Sequence, residues 1–481
     1  MMLTNYTSGG VVVSRPEGSG RAIVVVLASC GLVASFMQTL VVPLIPVFPR
    51  LLHASAADAS WVVTVTLLAA AVITPVSGRL GDLYGKRRMI LISLAVLIAG
   101  SVVSATTSAL AFQILGRGLQ GCAMGVIPLG ISIMRDELPP ERVGGAISLM
   151  SATLGVGGAI GLPVAALVAE NADWHVLFWT AAGLGLACAL LIVTVVPESP
   201  LRTPAPFDYF GAFGLAAGLL CLLLPVVKGG TWGWSSAPTL GLAALAVVIL
   251  VGWGAYQLRR RDPLVDLRVS SRRPVLFTNL ASIMVGFALY AMALSFPQLL
   301  QAPSSTGYGL GQSIVESGLT LAPNGLVMML LSPVSARLIT RFGPRPTLMS
   351  GAFVIAVGYA FAIVLMGNAL ELITASVIIG AGVGIAYAAM PALIMGSVPV
   401  TETASANGLN ALMRSVGTAV SSAVMAAMLA QLTISVGGLT VPSLGGFRAT
   451  FAVAACAALA GVALAALVPK TKVAPVLVGV A

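Results

Sequence analysis

Apolar residues run through this chain in long blocks, and polar residues are confined to short breaks between them. A helix needs about 20 consecutive apolar residues to cross the hydrocarbon of a bilayer. Blocks of that length fall near 22–46, 60–80, 89–107, 109–134, 144–168, 174–196, 209–227, 237–258, 276–300, 314–337, 347–367, 372–396, 405–432 and 447–469. The pattern predicts fourteen transmembrane helices. The stretch 209–258 is the least regular, because its two blocks flank the polar turn Gly229-Gly230-Thr231-Trp232-Gly233-Trp234.

Composition turns this pattern into a class. Hydrophobic residues make up 58% of the chain and charged residues 8%, with a mean hydropathy of +1.02. No soluble core hides that much apolar surface, so the bilayer is the solvent. The net charge of +10 does not point to nucleic acid, because the basic residues sit in short breaks rather than on one face. With the N-terminus placed in the cytoplasm, Arg15, Arg21, Arg79, Lys86, Arg87, Arg88, Arg135, Arg142, Arg202, the run Arg259-Arg260-Arg261, Arg268, Arg272, Arg273, Arg337, Arg341, Arg345, Lys470 and Lys472 all fall inside. Only Arg50, Lys228 and Arg448 fall in the outer breaks. Positive charge stays on the cytoplasmic side, so both termini are expected there. Residue usage rich in Arg, Ala, Val, Leu and Gly suggests a G+C-rich bacterium, hence its inner membrane. The first block runs past 20 residues without a small-residue cleavage site and reads as a retained helix. The five cysteines lie in apolar blocks without a C-x-x-C, and His53 and His175 are far apart, so neither a metal nor a bound cofactor is expected.

The polar breaks also repeat. Gly78-Arg79-Leu80-Gly81-Asp82-Leu83-Tyr84-Gly85-Lys86-Arg87 returns 258 residues later as Ala336-Arg337-Leu338-Ile339-Thr340-Arg341-Phe342-Gly343-Pro344-Arg345. A looser echo links 127–146 to 390–408. This spacing fits a six-helix bundle over residues 1–200, a two-helix insert with a basic linker over 201–270, and a second six-helix bundle over 271–481. Parallel repeats of this kind place a site at their interface near the midplane.

The break at 78–88 packs charge between two glycines. Gly78 and Gly85 permit a sharp turn and close approach of helices, and Asp82 is a single acid beside Arg79, Lys86, Arg87 and Arg88. A carboxylate there pairs with a base or sits at a neighbouring helix N-terminus. The pattern Gly78-x-Leu80-x-Asp82-x-x-Gly85-Lys86-Arg87 resembles the loop signature of the major facilitator superfamily. Fourteen spans narrow the resemblance to its fourteen-helix drug:proton antiporters, which include actinobacterial antibiotic exporters. Helix 4 carries Arg117-Gly118-Leu119-Gln120-Gly121, similar to the family's R-x-x-Q-G. Helix 5 carries Gly157-Gly158-Ala159-Ile160-Gly161-Leu162-Pro163, a variant of the antiporter G-x-x-x-G-P in which Leu162 splits the Gly-Pro pair. The resemblance implies the major facilitator fold, no enzymatic activity, and alternating access coupled to the proton gradient. It also implies gating by Gly78, Asp82, Gly85, Lys86 and Arg87, with helix 5 as a hinge through Gly157, Gly161 and Pro163. Asp82 would latch the cytoplasmic ends of the two halves, and Thr340, its counterpart, makes that latch lopsided.

Arg117 is a cation inside a span, which costs about 2.5–3.5 kcal/mol on insertion scales, so it faces protein. It either braces neighbouring backbone carbonyls or supplies a fixed charge for coupling or substrate, with Gln120 one turn on. The glycines of helix 5 serve either plain close packing or the hinge. Family members often carry an acid on helix 1, where this chain has Met37, followed by Gln38 and Thr39. None of the fifteen acids falls at a predicted midplane. A cationic cargo therefore meets no buried counter-charge, and neutral, zwitterionic or anionic lipophiles fit better. Glu316 is the leading candidate for proton coupling. Ser313-Ile314-Val315-Glu316 also reads as a capping box. Polar and soft side chains outline a cavity: Gln38, Thr39, Asn279, Tyr290, Asn324, Met328, Tyr387, Asn407, Asn410 and Arg414. Of these, Asn407, Asn410 and Arg414 share one helix face. The reading is a monomeric exporter of amphipathic small molecules. Export of a native lipid or metabolite is the rival within transport. A membrane enzyme lacks the acid or His cluster it needs, and a sensor lacks an output domain.

Overall fold

The computed structural model describes residues 17–41, 44, 48–59, 61–199, 205–436 and 439–469. Arg15, Arg202, Lys470, Lys472 and the division at 200–201 lie outside the described residues. In hydrocarbon every backbone N–H and C=O must be bonded within the protein, so the apolar blocks become helices. Thirteen are long and apolar enough to cross a membrane, and one bent pair makes the fourteenth. The first six are α1 (Glu17–Thr39), α2 (Trp61–Tyr84), α3 (Lys86–Ala105), α4 (Leu110–Glu137), α5 (Pro140–Asn171) and α6 (His175–Val195). The insert is α7 (Tyr209–Trp232) and α8 (Ala237–Arg259). Then follow α9 (Arg273–Gln301), the pair α10a (Ile314–Leu330) and α10b (Ser332–Phe342), α11 (Pro344–Val364), α12 (Ala369–Met395), α13 (Thr403–Gln431) and α14 (Leu444–Ala466). The molecule is an all-α membrane protein.

The tenth span departs from a straight helix. α10a and α10b meet at 41° at Leu331. Pro333 has no N–H to continue the ladder, and its ring crowds the preceding turn, so the axis bends there. A second feature absent from the apolar pattern is a small antiparallel hairpin, β1 (Thr433–Val436) with β2 (Leu439–Pro442), between α13 and α14.

Helix contacts repeat with the sequence. In the first half α1 packs on α5 and α3 on α6; in the second, α9 packs on α13 and α11 on α14. One hydrophobic cluster centres on first-half residues such as Leu27, Met37, Ile90 and Phe178. Another gathers second-half residues such as Phe296, Tyr359 and Phe451. Lipid gives no hydrophobic drive for helices to associate, so contact relies on small residues and close packing. A Cβ on Gly100 would stand 2.5 Å from the Gly116 carbonyl oxygen, and one on Gly351 would stand 2.7 Å from that of Gly382.

Two seams join the halves, and they are counterparts. At one, α2 meets α13; at the other, α10a and α10b meet α5. The insert packs on the first seam. Leu215, Leu219 and Leu223 of α7 pack with Leu68 and Ala71 of α2 and Leu412 of α13. Asp208 ties the insert together, accepting from the Gly211 N–H, Tyr256 Oη and Gln257 Nε2 at 2.9–3.0 Å.

Candidate translocation site and gate

Gly85 sits between α2 and α3 with φ 111°, a left-handed value that a side chain resists. A Cβ there would also meet the Glu198 carboxylate at 2.7 Å. Glu198 accepts from the backbone N–H groups of Arg87 and Arg88, each at 3.2 Å, and so caps the start of α3. Lys86 is fully buried. It donates to Asp136 at 2.6 Å and stands 4.0 Å from Asp82. Asp136 also accepts from Ser199 at 2.6 Å. Asp136, Glu198 and Ser199 carry no signal in the sequence, because each arrives from a distant segment. Arg87 donates to the Val193 carbonyl at the end of α6, and Arg345, its repeat partner, donates to the Ala466 carbonyl at the end of α14. Gly343, the partner of Gly85, also has a positive φ, at 88°.

Asp82 reaches across to the second half. Its carboxylate accepts from the N–H groups of Ala404 at 3.2 Å and Ser405 at 2.8 Å, the first residues of α13. Those amides have no partner within their own helix, and a carboxylate there also meets the positive end of the helix dipole. The helices touch closely, since a Cβ on Gly78 would stand 2.4 Å from the Ala404 oxygen and one on Gly408 would stand 2.8 Å from the Thr74 oxygen. Arg135 adds a bond from α4 to Thr403 at 3.1 Å. Among the described residues Thr340 bonds only the Arg337 carbonyl of its own helix. On the Gly85 face the two halves are thus bonded through Asp82, while among the described residues its repeat partner Thr340 makes no bond across.

The interior polar residues fall into separate groups. In the first half Arg117 is 1% exposed. It donates to the Met37 carbonyl at 3.1 Å, to Gln120 at 2.6 Å and to the Val62 carbonyl at 3.4 Å. Gln120 continues to Ser101 at 2.7 Å. These bonds brace α4 against α1 and α2, about 10 Å from the end of the span remote from Gly85. Thr39 bonds the Gly157 carbonyl, and a Cβ on Gly161 would stand 2.1 Å from its hydroxyl. Gln38 beside it is half-buried. Pro163 faces the other way, onto Gly318 of α10a.

In the second half Asn410 donates to Asn279 at 2.9 Å and to Ser282 at 2.8 Å. Arg414 donates to Asn410 at 2.8 Å and lies 5.1 Å over the Tyr387 ring. Asn407 is 3% exposed, and both its amide atoms lack a partner among the described residues. Tyr290 stands beside Ser422. Asn324 is not with this group: it donates to the Ser376 carbonyl at 2.6 Å and ties α10a to α12. Met328 fills the space left by Gly155 of α5. Ser151 donates to the Tyr387 carbonyl at 3.2 Å, a further bond between the halves. Glu316 is exposed and closes the capping box with Ser313 at the start of α10a.

The profile of the Major Facilitator Superfamily matches residues 27–422, and a second match covers 301–478. The chain belongs to this superfamily. Its members are transporters, so this one is a transporter and not an enzyme. Among curated relatives, the tetracenomycin C resistance and export protein of Streptomyces glaucescens is 27% identical over 80% of this chain and 71% of its own length. A multidrug transporter protein of Bacillus subtilis is 24% identical over 74% of this chain and 66% of its own. A multidrug resistance protein B homolog of Mycobacterium tuberculosis is 26% identical over 77% and 69%. Among solved structures, the human organic anion transporter superposes with a TM-score of 0.66 at 15% identity, covering 94% of this chain and all of that one. A proton:xylose symporter gives 0.68 at 14%, covering 95% and 98%. At those identities the likeness is one of fold. The superfamily's multi-pass membrane body is the frame in which the Asp82 contact and the polar groups sit.

Proposed function

We infer that this transporter exports lipophilic or amphipathic small molecules, drugs or antibiotics among them, by alternating access driven by proton antiport. It would work as a monomer in the plasma membrane of a bacterium, with the Gly85 face and both termini in the cytoplasm. The cross-half cap of Asp82 on α13 carries this reading. A gate bonded through one carboxylate holds the Gly85 face shut in one state and can release it in the other. The names of the relatives support export of drugs. Among the described residues the acids that enter spans sit at helix ends, as Asp82, Asp136, Glu316 and Glu371 do, while Arg117 and Arg414 are the interior charges. That charge pattern favours neutral or anionic cargo over permanent cations.

The test is flux in proteoliposomes, with neutral, anionic and cationic lipophiles, each with and without an imposed pH gradient. Gradient-dependent movement of neutral or anionic probes is expected. Strong saturable ethidium transport with no movement of neutral compounds would reverse the cargo assignment, and flux indifferent to the gradient would remove proton coupling.

A further inference from the structure

The two interior cations are bonded differently. Arg117 is 1% exposed and donates to the Met37 and Val62 carbonyls and to Gln120. Arg414 is half-buried, and its one hydrogen bond among the described residues runs from Nη1 to the Asn410 Oδ1 at 2.8 Å. A guanidinium carries five N–H donors in a flat fork, so most of those on Arg414 have no protein partner among the described residues. Its other contact is the Tyr387 ring, 5.1 Å away. No carboxylate among the described residues forms an ion pair with it.

The exposed part of Arg414 faces inward. Leu412 and Val416, two positions to either side, pack with the insert and α2, and two positions turn a helix by about 200°. Arg414 therefore points away from the insert. The Tyr387 beneath it belongs to α12, and the Tyr387 carbonyl accepts from Ser151 of α5 at 3.2 Å, so the guanidinium stands beside the interface between the halves. It lies about 16 Å along α13 from Thr403, near the middle of the helix. Its backbone is pressed onto α9, where a Cβ on Gly286 would stand 2.6 Å from the Arg414 oxygen. Asn407 shares this face of α13, is 3% exposed, and has no partner for either amide atom among the described residues.

We propose that Arg414 is an anion anchor, which binds the carboxylate of an amphipathic organic acid held between the halves. A carboxylate accepts two parallel N–H bonds from such a fork, and the pairing offsets part of the cost of holding a cation out of water. The fork is set in advance. Asn410, which receives one of its donors, is itself fixed by bonds to Asn279 and Ser282, and the Tyr387 ring steadies the cation. Arg117 cannot do the same work, because backbone carbonyls and Gln120 already surround it. The proposal narrows the cargo of the exporter reading to organic acids with an apolar body, and it rests on that reading for transport though not for binding.

The probe is 4-benzoylbenzoate, a photoreactive two-ring acid, with 4-benzoylbenzamide as its neutral match. Both are applied near neutral pH to the full-length protein in lipid nanodiscs. The acid is expected to bind about tenfold tighter than the amide, the scale of one charge-assisted hydrogen bond. Its adducts should fall on 410–418 and beside Tyr387, in several-fold excess over Arg117 and its neighbours and over the exposed residues Leu240, Val247 and Val248 of α8. Arg414→Gln should bring acid and amide to parity. Arg414→Lys keeps the charge without the fork and should retain only part of the preference. Thermal denaturation checks that the variants fold, and the adduct map of the parent protein decides the site if Arg414→Gln does not. Equal binding of acid and amide by the parent overturns the anchor. So do adducts centred on Arg117 or spread over α8, and so does an acid preference that survives in folded Arg414→Gln. If the acid binds at Arg414 but proteoliposomes move neither compound, the exporter reading fails and the anchor stands. If the amide is moved and the acid shows no binding at Arg414, the reverse holds.

Discussion

Asp82 acts through its position more than through its proximity to the bases around it. The carboxylate takes two N–H groups that α13 cannot satisfy itself, and hydrogen bonds to a charged group contribute about 1.5–3 kcal/mol each. Asp82→Asn keeps the size but leaves one acceptor oxygen and turns an NH2 toward the other amide. Transport is expected to fall tenfold or more, with membrane insertion unchanged, as read by flux and by the amount of protein recovered from membranes. Normal flux would remove the latch. The turn itself was legible, because Gly78, Asp82 and Gly85 are types that a tight, charged corner needs. Its supports were not: Asp136 at the end of α4 and Glu198 and Ser199 beyond α6 are ordinary polar residues until the helices bring them to Lys86 and to the α3 amides. Arg117 was legible as a buried cation, while its partners are mostly backbone carbonyls that no side-chain pattern announces.

Helix-scale features show the same division. The glycines of α5 were visible as a small-residue run, but their targets were not. Gly157 and Gly161 receive α1, while Gly155 and Pro163 receive α10a, so one run serves two packing faces. The bend at Leu331 needed Pro333 to be read against the axis rather than against hydropathy, which the break leaves intact. The cap at the start of α10a fixes both hydrogen bonds of Glu316 at the helix end. Gln serves the same box, so Glu316→Gln should leave gradient-driven flux and thermal stability near the parent values. Loss of flux at full stability would instead make Glu316 a proton carrier.

For the whole molecule, the duplicated halves explain why two seams exist, and the insert explains why they are unequal. The repeat was legible in the 78–87 and 336–345 segments. The covering of one seam was not, because α7 is apolar on all sides and its partner helices are set by packing alone. Each half has its own cluster of buried residues, and the joints are Asp82 with Ala404 and Ser405, Arg135 with Thr403, and Ser151 with Tyr387. Expressed together as fragments 1–270 and 271–481, the halves should insert separately and co-purify. Fragments that come out of the membrane singly would contradict this division of the chain.

The bond from Asp82 to α13 spans 322 residues. A ribosome adding about 5–20 residues per second needs some tens of seconds to cover that distance. Through that interval the newly inserted carboxylate has no α13 amides to answer it. Lys86, one turn away and made almost in the same moment, is the charge that stays with it. The carboxylate that bonds the second half in the folded chain thus has Lys86 beside it in sequence while that half is still being translated.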